Sequence, residues 1–307
     1  MTIIKQFRRR LFALPLASCL LVSTALLLPI PIPASAQTPL IENTLLGIGI
    51  CPPWHPQSVE VCRNSVETVL DAFSTRLDIS AAGIRMMLNE GASAASLKKT
   101  VMELANTLGP SDRLIIYANL PSTSTSQTDA GENSRQILQL WADHEPETIQ
   151  TAIETGTWVS APAFAAMLHT VPAGEVILIL DTSNSDTIDA ELLEKHATNL
   201  DERPEALVTS AGAGQKANFS ADRTIALFAK HLAAALEVVD GTLADVIKTA
   251  SAGTRQAAIP ICISLKENRS DGPKEEKNCT QVPEIHDPAG ILGTVAMPVI
   301  IAATEGN

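Results

Sequence analysis

The chain predicts an α/β fold: a mostly parallel central sheet flanked by helices on both faces. Three observations carry the prediction. Short apolar runs, of which Val176–Leu180 is the clearest, alternate with longer stretches of helical periodicity. That alternation is the signature of parallel strands covered on both sides. Apolar residues make up 45% of the sequence but aromatics only 3%, so the core must be assembled from Ala, Val, Ile and Leu. Neither an internal repeat nor a linker divides the 307 residues, so a single domain is expected over 38–303.

What precedes that domain reads as an export leader over 1–36. Lys5, Arg8, Arg9 and Arg10 form a positive start, an apolar run follows from Leu11 to about Pro33, and Ala34-Ser35-Ala36 is an A-x-A cleavage signature. The run approaches membrane-spanning length. Pro15, Pro29, Pro31 and Pro33 break it as a continuous helix, which favours a cleaved signal cut after Ala36. Leu16–Cys19 resembles a lipoprotein acylation box but would leave a long apolar tail, and Arg9–Phe12 is compatible with a weak twin-arginine signal. The expectation is a periplasmic or secreted protein that meets a membrane only during export.

The elements follow in order. Thr44–Ile50 is a buried strand, ended by Cys51-Pro52-Pro53. Ser58–Leu77 is a helix with Val59, Cys62, Val66, Val69, Leu70 and Phe73 on one face, and Ala95–Leu108 a second, stopped by Gly109-Pro110. Arg113–Tyr117 is a short strand, and the Ser-, Thr- and Gly-rich stretch Ser122–Ser134 reads as a loop. Ser160–His169 is a helix, Val176–Leu180 a central strand and Ala206–Ser210 another. Thr224–Val238 and Leu243–Ala250 are helices, and Pro260–Ser264 reads as a late strand. Such alternation implies right-handed crossovers in one sheet.

Chemistry gathers where Val176–Leu180 runs into Asp181-Thr182-Ser183-Asn184-Ser185-Asp186. Carboxylates and hydroxyls crowd the carboxyl end of a central strand, where open α/β sheets place their sites. Caps on a strand-to-helix turn would read the same way.

This stretch resembles the D-x-C-x-S-G turn of the caspase and metacaspase family of cysteine peptidases. Asp181 and Ser185 match; Ser183 stands at the cysteine position and Asp186 at the glycine. The likeness extends along the chain. Leu46–Ile48 resembles the family's first strand, and Leu88–Ser93 the loop before its second helix. Ser111–Tyr117 is similar to the strand leading to Gly-His-Gly, here Leu120-Pro121-Ser122, with Pro121 at the histidine position. Trp141–Asp143 resembles a later turn that would bring Asp143 to the cleft, and Val208–Ala217 with Ile225–Leu236 resembles the strand and helix beyond the nucleophile. The resemblance implies a three-layer sandwich whose cysteine peptidase dyad has been lost at Pro121 and Ser183, with Asp181, Ser185 and Asp143 left around the cleft.

Thiolate and imidazole do the work of such a peptidase; a serine hydroxyl depends more on a base, and proline cannot move a proton. No histidine lies between Arg113 and Asp143, and His144 reads as an exposed turn residue. The expected protein is therefore a non-catalytic module with a peptide or protein partner and no cofactor or metal. Two alternatives remain. Asp181-x-Ser183-x-Ser185 also fits the metal-dependent adhesion motif of von Willebrand factor A domains, though that motif closes the first strand of its domain. A hydrolase built on Ser183 would need a distant histidine, and no G-x-S-x-G elbow is present. An EF-hand fails because its twelfth position is Leu192.

The net charge of −12 becomes more negative once a leader with four basic residues is removed, which speaks against nucleic acid and anionic lipid as partners. Beyond Cys19 of the leader, Cys51, Cys62, Cys262 and Cys279 form an even set without C-x-x-C spacing, so disulfides are expected rather than zinc. Local pairs, Cys51–Cys62 and Cys262–Cys279, bracket turn-rich segments. N-x-S/T sequons at Asn218, Asn268 and Asn278 matter only in a glycosylating host.

Overall fold

Leu46 to Ile50 alternate between large apolar residues and glycine, and that alternation explains how the sheet is covered. The computed structural model describes residues 41–51, 56–125, 135–183, 203–212, 215–267 and 280–299. The expected leader at 1–36 lies outside them, and Pro39–Asn307 form one unit. Strands β1 (Glu42–Gly49), β2 (Ile84–Leu88), β3 (Asp112–Asn119), β7 (Glu175–Asp181), β8 (Glu205–Thr209) and β10 (Glu284–His286) build a six-stranded sheet in the order β10-β8-β7-β3-β1-β2. All pairs are parallel except β10 with β8.

Side chains alternate strictly across this sheet. Leu46, Ile48, Leu114, Ile116, Leu178 and Leu180 face one layer, formed by α2 (Ala94–Thr107) through Leu97, Val101 and Leu104 and by α4 (Ala161–Leu168) through Phe164 and Leu168. Leu45, Ile115, Tyr117, Ile177, Ile179 and Val208 face the other. That layer is made of α1 (Pro56–Leu77), α5 (Leu227–Val238) and α6 (Leu243–Glu267). The result is the expected helix–sheet–helix sandwich.

Gly47 and Gly49 set the spacing on the α1 side. A Cβ at Gly47 would lie 2.5 Å from Leu70 Cδ1 and 2.7 Å from Val66 Cγ1, and one at Gly49 would lie 2.9 Å from Val66 Cγ2. The helix therefore rests on strand backbone. At the amino edge, buried Arg113 donates through Nε to Glu175 Oε2 at 2.6 Å and through Nη1 to Asn43 Oδ1 at 3.2 Å. It ties together the first residues of three neighbouring strands, and removing one partner of such a buried pair costs about 3–5 kcal/mol.

Smaller elements differ from expectation. Ser122–Thr125 is strand β4, not loop; it pairs antiparallel with β5 (Arg135–Gln139), which pairs with β6 (Trp158–Ser160). Hydroxyl-rich sequence reads as a loop, but Thr and Ser serve well in a short strand that finds a partner. The remainder of the expected loop, 126–134, lies outside the described residues. The expected strand Pro260–Ser264 is also overturned, because it belongs to α6. Ala250, Thr254 and Ala258 keep a buried stripe at helical spacing, and exposed Pro260 sits on the outer face. The last strand of the main sheet is β10 instead. Helix α3 (Ile149–Glu154) and a two-stranded ribbon of β9 (Gly241–Thr242) with β11 (Ala296–Met297) complete the described structure.

Gly47→Val should destabilise the protein by about 1–3 kcal/mol in chemical denaturation, because α1 must move off the sheet. Gly91→Ala, where a Cβ would meet nothing within 4 Å, should stay within about 0.5 kcal/mol of wild type.

Candidate functional site

Strand register brings the site together. Gly49 pairs with Asn119, Asn119 with Asp181, and Leu180 with Thr209, so β1, β3, β7 and β8 end at one level. The residues that leave them are Ile50, Leu120, Thr182 and Ser210. This is the carboxyl edge of the parallel sheet, where chain departing in different directions leaves a crevice.

Asp181 is buried there. Tyr117, on the neighbouring strand, donates its hydroxyl to Asp181 Oδ2 at 2.7 Å. Burial pushes the Asp181 carboxyl above its ordinary range, against the opposing pull of hydrogen bonding from Ser210, Tyr117 and Asn119. Burial and the adjacent carboxylate likewise push the Tyr117 phenol up. Tyr117 is the only tyrosine of the chain, and it interrupts an apolar strand two residues before its end. A buried tyrosine hydroxyl needs a partner, so this position was the one sequence signal for the pair.

Ser183 is anchored on three sides. Its carbonyl accepts from Ser122 Oγ at 2.5 Å and from Gln136 Nε2 at 2.8 Å, and its hydroxyl oxygen accepts from Ala217 N–H at 3.0 Å. Ala217 is held in turn through the next residue: Asn218 N–H donates to Gln281 Oε1 at 2.8 Å, and Gln281 Nε2 donates to the Ser210 carbonyl at 2.9 Å. Ser122, Gln136, Ala217 and Gln281 carry no distinguishing sequence signal, since their roles arise only when distant segments meet.

Pro121 and Ser183 follow the paired ends of β3 and β7, and Ser122, beside Pro121, binds the Ser183 backbone. Among the described residues no imidazole or carboxylate is hydrogen-bonded to Ser183. His169 lies 3.6 Å from Glu205, at the amino start of β8 and so on the opposite sheet edge. His231 is on α5, His286 on β10, and His144 is exposed. Asp143 is exposed in the segment after β5, and no described hydrogen bond joins it to Asp181 or Ser183. Ser185 lies outside the described residues. Asp181 turns its carboxylate against Tyr117 in the core, a poor posture for capturing a cation, and among the described residues no metal-ligating cluster is found.

Cys51 and Cys62 lie side by side and buried under this edge, and both are thiols in this structure, so the expected bridge between them is not made here. Cys62 Sγ donates to the Ile50 carbonyl at 3.2 Å. Hydrogen bonding to Cys51, followed by burial, pushes the Cys62 thiol far up, while the same contact pulls Cys51 down. Cys279 and the side chain of Cys262, which falls within α6, lie outside the described residues.

No family model matches the chain, and no curated protein matches it in sequence. Solved structures do. Protein GSU0716 from Geobacter sulfurreducens superposes with a TM-score of 0.53 at 11% identity, covering 84% of this chain and 100% of that one. The Drosophila initiator caspase Dronc superposes with a TM-score of 0.50 at 10% identity, covering 83% of this chain and 81% of its own. The chain has a caspase-like fold; at such identity the likeness concerns the fold alone.

The raised Asp181 carboxyl has a pH consequence. An acid whose folded pKa exceeds its unfolded value leaves stability intact below about pH 4 and erodes it as the pH rises toward the folded value. Asp181→Asn keeps an acceptor for Tyr117 and cannot ionise. Its Tm should exceed that of wild type at pH 8, and the gain should shrink toward zero by about pH 4. A gain independent of pH would show that the carboxylate is not the cause.

Proposed function

We propose that this chain is an exported, caspase-like pseudopeptidase that binds a peptide or protein without cleaving it. Supporting the reading is one juxtaposition: Pro121 and Ser183 leave the adjacent ends of β3 and β7, the positions that the family resemblance assigns to histidine and cysteine. Proline offers neither a proton acceptor nor a backbone N–H for an oxyanion. Ser183 has an oxygen in place of sulfur, and that oxygen accepts a backbone N–H from Ala217. Its contacts are those of a structural anchor. A cleft shaped by such a fold can keep a binding role after its chemistry is lost.

The adhesion-type reading of Asp181-x-Ser183-x-Ser185 is less well supported, because the first of its ligands is buried with one carboxylate oxygen taken by Tyr117. Export rests on the leader sequence at 1–36, and it bears on the cysteines. An oxidising compartment would let the neighbouring Cys51 and Cys62 thiols give up two electrons and two protons to a thiol–disulfide oxidant and close a bridge.

Two measurements test this. The purified protein should show no turnover of Arg-, Lys- or Asp-directed peptide substrates, with or without Ca²⁺, and should not differ from Ser183→Ala in a broad peptide library. Cleavage by wild type that disappears in Ser183→Ala would replace the pseudopeptidase with a serine-dependent hydrolase. Even slow turnover by Ser183→Cys combined with Pro121→His would place both residues at a caspase-type centre.

For the exported form, intact mass should match a chain starting at Gln37, and non-reducing peptide mapping should recover Cys51 linked to Cys62 and Cys262 linked to Cys279. A lipidated Cys19, an uncut N-terminus, free thiols or a Cys51–Cys262 peptide would each overturn the corresponding assignment.

A further inference from the structure

The segment that anchors Ser183 has a second face. Lys216, Ala217 and Asn218 continue through Phe219 to a turn before α5, and beneath them opens a pocket of about 750 Å³ against α5 and α6. This volume lies within the range of small-molecule sites. Its apolar surface comes from Phe219, Leu227, Ala257, Pro260 and Ile261. Among the described residues that line it, the ionisable ones are Lys216, Arg223, Lys230 and His231, and the Asp222 carboxylate stands beside them within charge-interaction range of Lys230. In a chain of 34 acidic and 22 basic residues, a rim on which three described cations outnumber the one carboxylate beside them runs against the overall charge.

The cationic rim is held in place. The Asp222 carboxylate accepts from Ser220 Oγ at 2.5 Å and from Thr224 Oγ1 at 2.9 Å. Those two hydroxyls hold its carboxyl down to about 2. Arg223 sits in the left-handed region at φ 58, and its N–H donates to the Ser220 carbonyl at 2.8 Å. An arginine in that conformation persists because its turn is tied on both sides. His231 packs against Gly253 of α6, where a Cβ would lie 2.5 Å from Nδ1. Burial, helped by the charge of Lys230, lowers the His231 pKa, so at neutral pH the ring supplies hydrogen bonds rather than charge.

From the cations at the rim and the apolar wall behind them, we infer that this pocket binds a small amphiphilic anion: an apolar body carrying one carboxylate, such as a medium-chain fatty acid. The cations select the head group, and Phe219, Leu227 and Ile261 receive the body. Affinity should fall with salt, since Lys216, Arg223 and Lys230 are exposed. The site does not depend on whether Ser183 is catalytically inert.

Isothermal titration calorimetry with decanoate tests it on the purified protein, with decyltrimethylammonium as the cationic counterpart. Decanoate should bind to a single saturable site and the cation should not. Arg223→Glu with Lys230→Glu, both at exposed positions, should weaken decanoate on the order of tenfold with Tm unchanged, and Lys230→Gln should weaken it less. Hydrogen exchange should show decanoate protecting 216–223 and the facing turns of α5 and α6. Equal binding of both amphiphiles, indifference to the charge reversals, or protection confined elsewhere would overturn the inference.

Discussion

A parallel sheet has no solvent-tolerant face, and the rest of the molecule follows from that constraint. The central strands β1, β3, β7 and β8 must be covered above and below, because crossover helices return on either side and their interiors are apolar. With aromatics at only 3% of the chain, coverage comes from close approach rather than from large side chains. Gly47 and Gly49 let α1 settle on backbone, while Leu46 and Ile48, between and beside them, fill the opposite layer. One strand thus serves two layers with different depths. Arg113 at the amino edge adds a polar clamp across β1, β3 and β7.

The two sheet edges are built for different tasks. The amino edge is closed by paired charges: Arg113 with Glu175, and Arg203 with Glu205 beside His169. The carboxyl edge, among the described residues, is held mainly by hydrogen bonds. Asp181 is its buried acid, with Tyr117 as its donor, and Thr182 and Thr209 keep buried hydroxyls without a described partner. Desolvating a carboxylate beside a neutral phenol is costly, and the raised pKa is the record of that cost. An edge of this kind holds backbone segments in place through hydroxyl and amide contacts. The segment around Ala217 joins this edge to the cationic pocket, because Ala217 both donates to Ser183 and lines that pocket.

The elements legible in the sequence were those whose signal is local. Val176–Leu180 is a run of apolar residues that fits few other environments, and α1 announces itself through Val59, Cys62, Val66, Val69 and Phe73. Elements with weak local signal were missed or misread. Ile84–Leu88 is an edge strand with two exposed residues, and Ser122–Thr125 is a strand by virtue of its partner. The run around Pro260 looked like a strand because Ile259, Ile261 and Ile263 alternate, yet helix α6 absorbs it with the proline outward.

By itself the sequence determined the layered α/β class, the order of the main strands and helices, and the polar turn after the central strand, since these depend on periodicity and composition along contiguous chain. It also determined which chemical groups stand at positions 121 and 183, because a proline or a serine has the same atoms in any fold. Only the tertiary structure decided what those positions touch. The level ending of β3 and β7, the burial of Asp181 under Tyr117, the three contacts on Ser183, and the meeting of the 216–231 segment with Ala257, Pro260 and Ile261 around one pocket each join segments far apart in the chain. Such contacts are set by strand register and helix packing, and no local pattern of residues encodes the distance between two side chains separated by a whole crossover.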